Sequence, residues 1–156
     1  MSDMQTDKVK VLAIEDAVPQ ALSLEEILTD KGFEVSLVST PDEWRKRKDE
    51  FDPGVIILDI IMPVSKAESE RTMGGFLAGV ELHKELAGHF LEQGKPMPPI
   101  IVLTAIGGAR REVYADAKRY FDELPEHERP VWIDKPPDVD VLLDCIGRLT
   151  AVESKK

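Results

Sequence analysis

One apolar run that ends in a carboxylate constrains this chain more than any other feature. Residues 55–58 read Val-Ile-Ile-Leu, and Asp59 follows at once. A short, continuous run of this kind is typical of a strand buried on both faces of a parallel sheet. Ligands bind at the carboxyl ends of such strands, and a charge beside a buried run needs a partner or a chemical role. Asp59 is therefore the first candidate for a functional residue.

Strand-like and helix-like segments alternate along the whole sequence. Strands are predicted at residues 9–14, 33–38, 55–59, 99–104 and 131–135, and helices at 19–31, 41–50, 76–93, 109–124 and from 138 onward. Five strand-then-helix units predict an α/β fold with a doubly wound, five-stranded parallel sheet. We expect a single domain over residues 1–156, with its core at about 9–150 and no output domain.

Composition excludes several classes of function. The formal net charge is −10, which argues against direct binding to nucleic acid or to an anionic membrane surface. The polar first eight residues do not have the pattern of a signal peptide, and later apolar runs are too short to span a bilayer. We therefore expect a cytoplasmic protein. Cys145 is the only cysteine, so an internal disulfide is excluded.

Polar residues stand where the predicted strands end. Glu15 and Asp16 follow the first strand, Asp59 ends the third, Thr104 the fourth and Lys135 the fifth. Three carboxylates at one edge repel each other, and carboxylate oxygens are ligands that suit Mg²⁺. A lysine and a hydroxyl nearby suit a phosphoryl group, and a carboxylate can act as the nucleophile. The pattern predicts a phosphoryl-transfer site with Mg²⁺ as cofactor.

Four short motifs in register with this alternation carry a family resemblance. They are Glu15-Asp16, Leu58-Asp59-x-x-Met62-Pro63, Leu103-Thr104-Ala105 and Asp134-Lys135-Pro136. In this order, over about residues 9–149, they resemble the receiver domain of two-component response regulators. The resemblance implies a flavodoxin-like sheet of order 2-1-3-4-5. It also implies a signalling phosphoprotein that catalyses only its own phosphorylation and dephosphorylation.

The resemblance assigns roles at the metal end of the site. Asp59 would accept a phosphoryl group from the phosphohistidine of a sensor histidine kinase or a histidine phosphotransferase. Asp16 and Asp59 would bind Mg²⁺ directly, Glu15 would bind it through water, and Ile61 would contribute its backbone carbonyl. The change would then be passed to a downstream protein that the sequence does not identify.

The resemblance also implies a switch at the phosphate end. Thr104 and Lys135 would bind the phosphoryl oxygens, and Thr104 would act with Trp132, which stands where the family often has Tyr or Phe. The chain departs from the family in length, because residues 63–75 and 104–135 are longer than the usual segments.

Two other functions remain as alternatives. A phosphohydrolase with an aspartyl nucleophile would need a second Asp two residues after Asp59 as general acid, and Ile61 at that position counts strongly against it. A receiver-like scaffold that binds partners without phosphorylation is the second alternative. Of the histidines, His83 is predicted at the edge of the core, whereas His89 and His127 lack metal-ligand spacing and are predicted to be solvated.

Overall fold

The fold is a five-stranded sheet between two layers of helices. A computed structural model describes residues 8–15, 18–59, 78–104, 111–134 and 137–154. The strands are β1 (Lys10–Ile14), β2 (Glu34–Val38), β3 (Val55–Asp59), β4 (Ile100–Thr104) and β5 (Val131–Asp134). The helices are α1 (Val18–Asp30), α2 (Pro41–Arg47), α3 (Ala78–Glu92), α4 (Arg111–Asp122) and α5 (Val139–Ser154). Short 3-10 turns lie at Lys48–Glu50 and Glu126–Glu128.

The sheet is parallel throughout and has the order β2-β1-β3-β4-β5. Both the doubly wound fold and its 2-1-3-4-5 order are therefore confirmed. Every residue of β3 is buried, as the continuous apolar run predicts for a central strand covered on both faces. None of the described helices is long and apolar enough to cross a membrane.

The side chains of alternate strand residues pack into two separate cores, one on each face of the sheet. On one face, Ile56 and Leu58 pack in a cluster that includes Trp44 of α2 and side chains of α3 and α4. On the other face, Val55 and Ile57 pack in a cluster with side chains of α1 and α5. The period-two alternation of strand side chains thus places helices on both sides of the sheet.

The start of α2 shows how local sequence fixes a helix end. The Thr40 hydroxyl accepts a hydrogen bond from the Glu43 amide at 3.1 Å, and the Glu43 carboxylate accepts one from the Ser39 amide at 2.8 Å. This is close to a capping box, in which a hydroxyl and a carboxylate satisfy amides that lack helical partners. Trp44 is consequently directed into the core, where only 2% of it is exposed.

The helix α3 is held against α2 by a two-pronged ion pair. Arg45 donates from Nε and Nη2 to the two carboxylate oxygens of Glu85, both at 2.7 Å. Beside this pair, Trp44 and His89 meet edge to face with ring centroids 5.6 Å apart. Bidentate geometry of this kind gives orientation as well as attraction, so the pair fixes how α3 lies on α2.

The prediction that His89 is solvated was wrong. It is only 6% exposed, and its Nε2 atom is buried without a hydrogen-bond partner among the described residues. The reason is tertiary: α2 covers this side of α3, so a position that would face water on an isolated helix is enclosed. His127 is largely exposed, as predicted, and His83 is buried.

Two glycines should respond oppositely to the same substitution. Gly32 ends α1 with φ +97°, and the Phe33 amide donates to the Leu28 carbonyl across it at 3.1 Å. This is a Schellman arrangement, which favours glycine. Gly32→Ala should therefore cost about 1–2 kcal/mol of unfolding free energy. Gly88, inside α3, has room for a methyl group, because apart from the backbone of its own helix and its chain neighbours no heavy atom lies within 4 Å of the position that a Cβ would take. Gly88→Ala should therefore add about 0.5–1 kcal/mol.

Urea unfolding of both variants, followed by far-ultraviolet circular dichroism, checks the pair. A Gly32→Ala protein as stable as the parent would contradict the left-handed conformation assigned to that position.

Candidate functional site

The strand register brings the predicted site residues of the central strands to one edge of the sheet. Ile14 of β1 pairs with Leu58 of β3, so Glu15 and Asp59 come next along the two neighbouring strands. On the other side of Asp59, its partner in β4 is Leu103, which precedes Thr104. The carboxylates of Glu15 and Asp59 thus belong to adjacent strand ends, with the Thr104 position at the end of the third strand in the row.

Both carboxylates are taken out of water. Asp59 is 6% exposed and Glu15 is 4% exposed. The Glu15 amide donates to the Val38 carbonyl at 3.0 Å, which holds the Glu15 backbone beside the end of β2. Removing two like charges from solvent side by side is costly unless opposite charge or hydrogen-bond donors compensate. Two neighbouring carboxylates also offer the oxygen ligands that a divalent cation such as Mg²⁺ prefers.

The site edge continues into a groove between α1 and α5. Its volume is about 630 Å³. It is lined by Glu15, Pro19, Gln20, Ser23, Leu24, Ile27, Leu103, Pro137, Val139 and Leu142. Because Glu15 and Leu103, the β4 partner of Asp59, form part of its wall, the groove lies at the same edge of the sheet as Asp59.

Three of the predicted site residues lie outside the described residues. These are Asp16, Ile61 and Lys135. Within the described part of the chain, there is no group of three or more His, Cys, Asp or Glu side chains placed to bind a metal ion. Two of the three carboxylates predicted for Mg²⁺, Glu15 and Asp59, are in that part, and their oxygen donors are of the type that Mg²⁺ prefers.

Trp132, the predicted switch residue, lies in β5 opposite Val102 of β4. Its indole is partly buried and packs against the core on the α2–α4 face. Phe121 of α4 meets it edge to face with ring centroids 5.6 Å apart, and Lys118 of the same helix places its Nζ 5.4 Å from the indole centroid. Two side chains of α4 therefore contact the indole.

Sequence reasoning missed the residues that continue this contact toward α3. Phe121 also meets His83 edge to face at 5.1 Å, and His83 Nδ1 lies 2.9 Å from the Tyr120 hydroxyl. The periodicity of Ala117, Tyr120 and Phe121 along α4 marks the stripe that faces the core. It does not reveal that a polar atom of α3 meets that stripe, because the two helices are far apart in sequence.

Burial sets the protonation of both members of the hydrogen bond. Desolvation lowers the pKa of His83 from 6.5 to about 4, so the ring is neutral at physiological pH. The pKa of Tyr120 is raised, first by burial and then by the negative charge of Glu81. The neutral ring accepts from the hydroxyl in one tautomer and donates to it in the other. In both cases neither group carries charge.

The buried His83 should make the fold acid-sensitive. In the unfolded chain its pKa is near 6.5, whereas in the folded protein its pKa is only about 4. The contribution of neutral His83 is therefore complete above pH 6.5 and is lost as the pH falls toward 4. A pKa difference of this size corresponds to about 3 kcal/mol of unfolding free energy.

Urea unfolding at a series of pH values, for the parent and for His83→Gln, measures this effect. Glutamine can still bond to Tyr120 but does not titrate, so the variant should lose less stability on acidification. Parallel pH profiles for the two proteins would contradict the assignment.

No protein-family model matches the sequence, and no curated protein is significantly similar to it. Solved structures, in contrast, give many matches. A CheY-like response regulator receiver domain protein from Methanospirillum hungatei superposes with a TM-score of 0.67 at 19% identity, over 96% of this chain and 98% of that one. The signal receiver domain of a signal transduction histidine kinase from Syntrophus aciditrophicus has a TM-score of 0.64 at 24% identity, over 92% of this chain and 90% of that one.

A third match is to a much longer protein. NtrX from Brucella abortus has a TM-score of 0.68 at 20% identity over 95% of this chain, but the chain spans only 28% of NtrX. At these identities the comparisons establish the fold, and they agree with the strand order and layers described above. The chain has the CheY-like fold of response regulator receiver domains.

Proposed function

We propose that this chain is a phosphoaccepting receiver of a two-component or phosphorelay system. The observation that carries the proposal is the position of Asp59: a buried carboxylate at the end of the central strand, beside the buried carboxylate that follows β1. Asp59 takes a phosphoryl group from a phosphohistidine, and the product changes the affinity of the chain for a downstream protein. The fold supports this role, and the match to a receiver domain from a histidine kinase supports a partner of that type.

The reaction requires a nucleophile and a leaving group in line. A carboxylate oxygen of Asp59 attacks the phosphorus, the bond from phosphorus to the imidazole nitrogen breaks, and the imidazole leaves the phosphoryl group and takes up a proton. The product is an acyl phosphate on Asp59. Hydrolysis by water returns the carboxylate and inorganic phosphate. Positioning and charge neutralisation supply most of the rate in such transfers.

Glu15 and Asp59 are the described residues that would hold Mg²⁺, with Asp16 and the Ile61 carbonyl as further proposed ligands. When bound, the cation supplies positive charge to the phosphoryl oxygens. Glu15 would contribute its buried carboxylate. The hydrogen bond from the Glu15 amide to the Val38 carbonyl fixes the backbone of this residue. Glu15 follows the strand that neighbours β3, so it would bind the same cation through water.

The remaining proposed roles follow the strand ends. Thr104 and Lys135 bind phosphoryl oxygens, and Trp132 responds to the bond that Thr104 makes. A cytoplasmic location and the absence of direct nucleic-acid binding belong to the same proposal, in keeping with the net charge of −10. The chain is proposed to act as a signalling protein whose only catalysis is its own phosphorylation and dephosphorylation.

Substitution at two carboxylates of the same edge tests the proposal. Asp134 ends β5, is exposed, and pairs with Thr104 in the sheet. We expect the parent and Asp134→Asn to gain one phosphoryl group from a small-molecule phosphodonor with Mg²⁺, as read by intact-protein mass spectrometry. Asp59→Asn should gain none, and chelation of the cation should slow the parent by at least about a hundredfold, a barrier change of roughly 2.7 kcal/mol.

Equal labelling of Asp59→Asn and the parent would exclude Asp59 as the acceptor. Failure of the parent to gain any label, from the small phosphodonor or from phosphohistidine, would favour the scaffold that works without phosphorylation.

A further inference from the structure

Four rings from three elements form a continuous set of contacts that we call the aromatic bridge. It consists of His83 of α3, Tyr120 and Phe121 of α4, and Trp132 of β5. The His83 ring meets Tyr120 at 5.6 Å and Phe121 at 5.1 Å, and Phe121 meets Trp132 at 5.6 Å, with interplanar angles of 77°, 83° and 82°. Edge-to-face pairs of this kind are attractive beyond their buried area.

We propose that the His83–Tyr120 hydrogen bond is a latch that holds α4 against α3, and that releasing it allows α4 and Trp132 to shift together. The latch in the unphosphorylated protein is a property of the fold itself. Its release by phosphorylation rests on the proposed function.

The helix α3, which carries His83, is firmly packed. On α3, Leu82 and Leu86 are fully buried, and Glu85 is bound through both carboxylate oxygens to Arg45 of α2. His83 is only 4% exposed, so its ring has little room to turn. The hydrogen bond at 2.9 Å therefore attaches Tyr120 to a helix that is itself anchored on its other side.

The helix α4 is attached less firmly. Among residues 115–122 of α4, whose burial is described, only Ala117 and Phe121 are buried. The others are exposed or half-buried, and the ion pairs of Lys118 with Asp122 and of Arg119 with Asp116 lie within the helix. Ion pairs within one helix do not tie it to its neighbours. The part-buried hydrogen bond to α3 therefore adds to the packing of Ala117 and Phe121 in positioning α4.

Trp132 is tied to α4 through two side chains. Phe121 meets the edge of its indole, and Lys118 lies over its ring at 5.4 Å. A rotation of the indole would have to displace one of these two side chains. Since both belong to α4, movement of Trp132 and movement of α4 are parts of one event, and Tyr120, adjacent to Phe121, is placed to control it.

The test measures hydrogen exchange along α4 and the environment of Trp132. Tyr120→Phe removes only the hydroxyl. We expect it to speed exchange of the α4 amides about fivefold, as loss of one intramolecular hydrogen bond predicts, and to shift the ¹⁹F resonance of Trp132 in protein labelled with fluorotryptophan. The chain has two tryptophans, so Trp132→Phe assigns the signals.

A matched control removes a hydroxyl hydrogen bond far from the aromatic bridge. Thr150→Val removes the bond that the Thr150 hydroxyl donates to the Ile146 carbonyl in α5 at 2.8 Å, and it should leave both the exchange of α4 and the Trp132 resonance unchanged. Equal effects of Thr150→Val and Tyr120→Phe on α4 would mean general loosening and would overturn the latch. So would exchange of α4 in Tyr120→Phe at the parent rate.

His83→Leu supplies a second route to the same bond. If the latch exists, the double variant His83→Leu/Tyr120→Phe exchanges its α4 amides no faster than the faster single variant, because the bond can be lost only once. Multiplying effects would show that the two side chains act independently and would contradict the proposal. If His83→Leu does not fold, His83→Phe, which keeps a ring but cannot hydrogen-bond, gives the same comparison with Tyr120→Phe.

The last experiment measures the effect of phosphorylation, and it distinguishes a failure of the proposed function from a failure of the latch. In parent protein that carries a phosphoryl group by mass, α4 exchange and the Trp132 resonance should move toward the values of Tyr120→Phe. Full phosphorylation with both readouts unchanged would refute release by phosphate. If no phosphoryl group is gained, the proposed function fails, while the latch is still decided by the unphosphorylated variants.

Discussion

The parallel register of β1, β3 and β4 is the constraint on which the rest of the structure depends. It aligns Ile14 with Leu58 and Asp59 with Leu103, so the residues that follow or end these strands arrive at one edge. A slip of one residue would turn every side chain of β3 to the opposite face. The two apolar cores, which take alternate residues of β3, prevent that slip. The packing of the interior thereby determines where the charged groups lie.

The two faces of the sheet are stabilised differently. The α1–α5 face is apolar and opens into the groove beside Glu15. The α2–α4 face contains two buried imidazoles and a bidentate ion pair, all centred on α3. Buried polar groups fix orientation at a cost in stability when a partner is lost. On this face, His83 is hydrogen-bonded to Tyr120, whereas His89 Nε2 has no partner among the described residues.

Much of this fold could be predicted from the sequence, because the signals are local. The alternation of strands and helices and the buried run before Asp59 depend on neighbours in the chain, and the structure confirms them. Burial of His89 could not be predicted, since it depends on α2 lying over α3. The aromatic bridge could not be predicted for the same reason, because His83 and Tyr120 are 37 residues apart in the sequence. The roles of all the site residues stay predictions, namely those of Glu15, Asp16, Asp59, Ile61, Thr104, Trp132 and Lys135.

The central claim is that Asp59 carries the phosphoryl group after transfer from phosphohistidine. Borohydride reduces an acyl phosphate on aspartate to homoserine, which marks the modified position permanently. Peptide mapping after transfer from a phosphorylated histidine phosphotransferase, followed by reduction, locates the modification directly. The account predicts homoserine at position 59 and at no other aspartate, with Asp134 unmodified. Homoserine at a different position, or transfer that leaves residue 59 as aspartate, would contradict it.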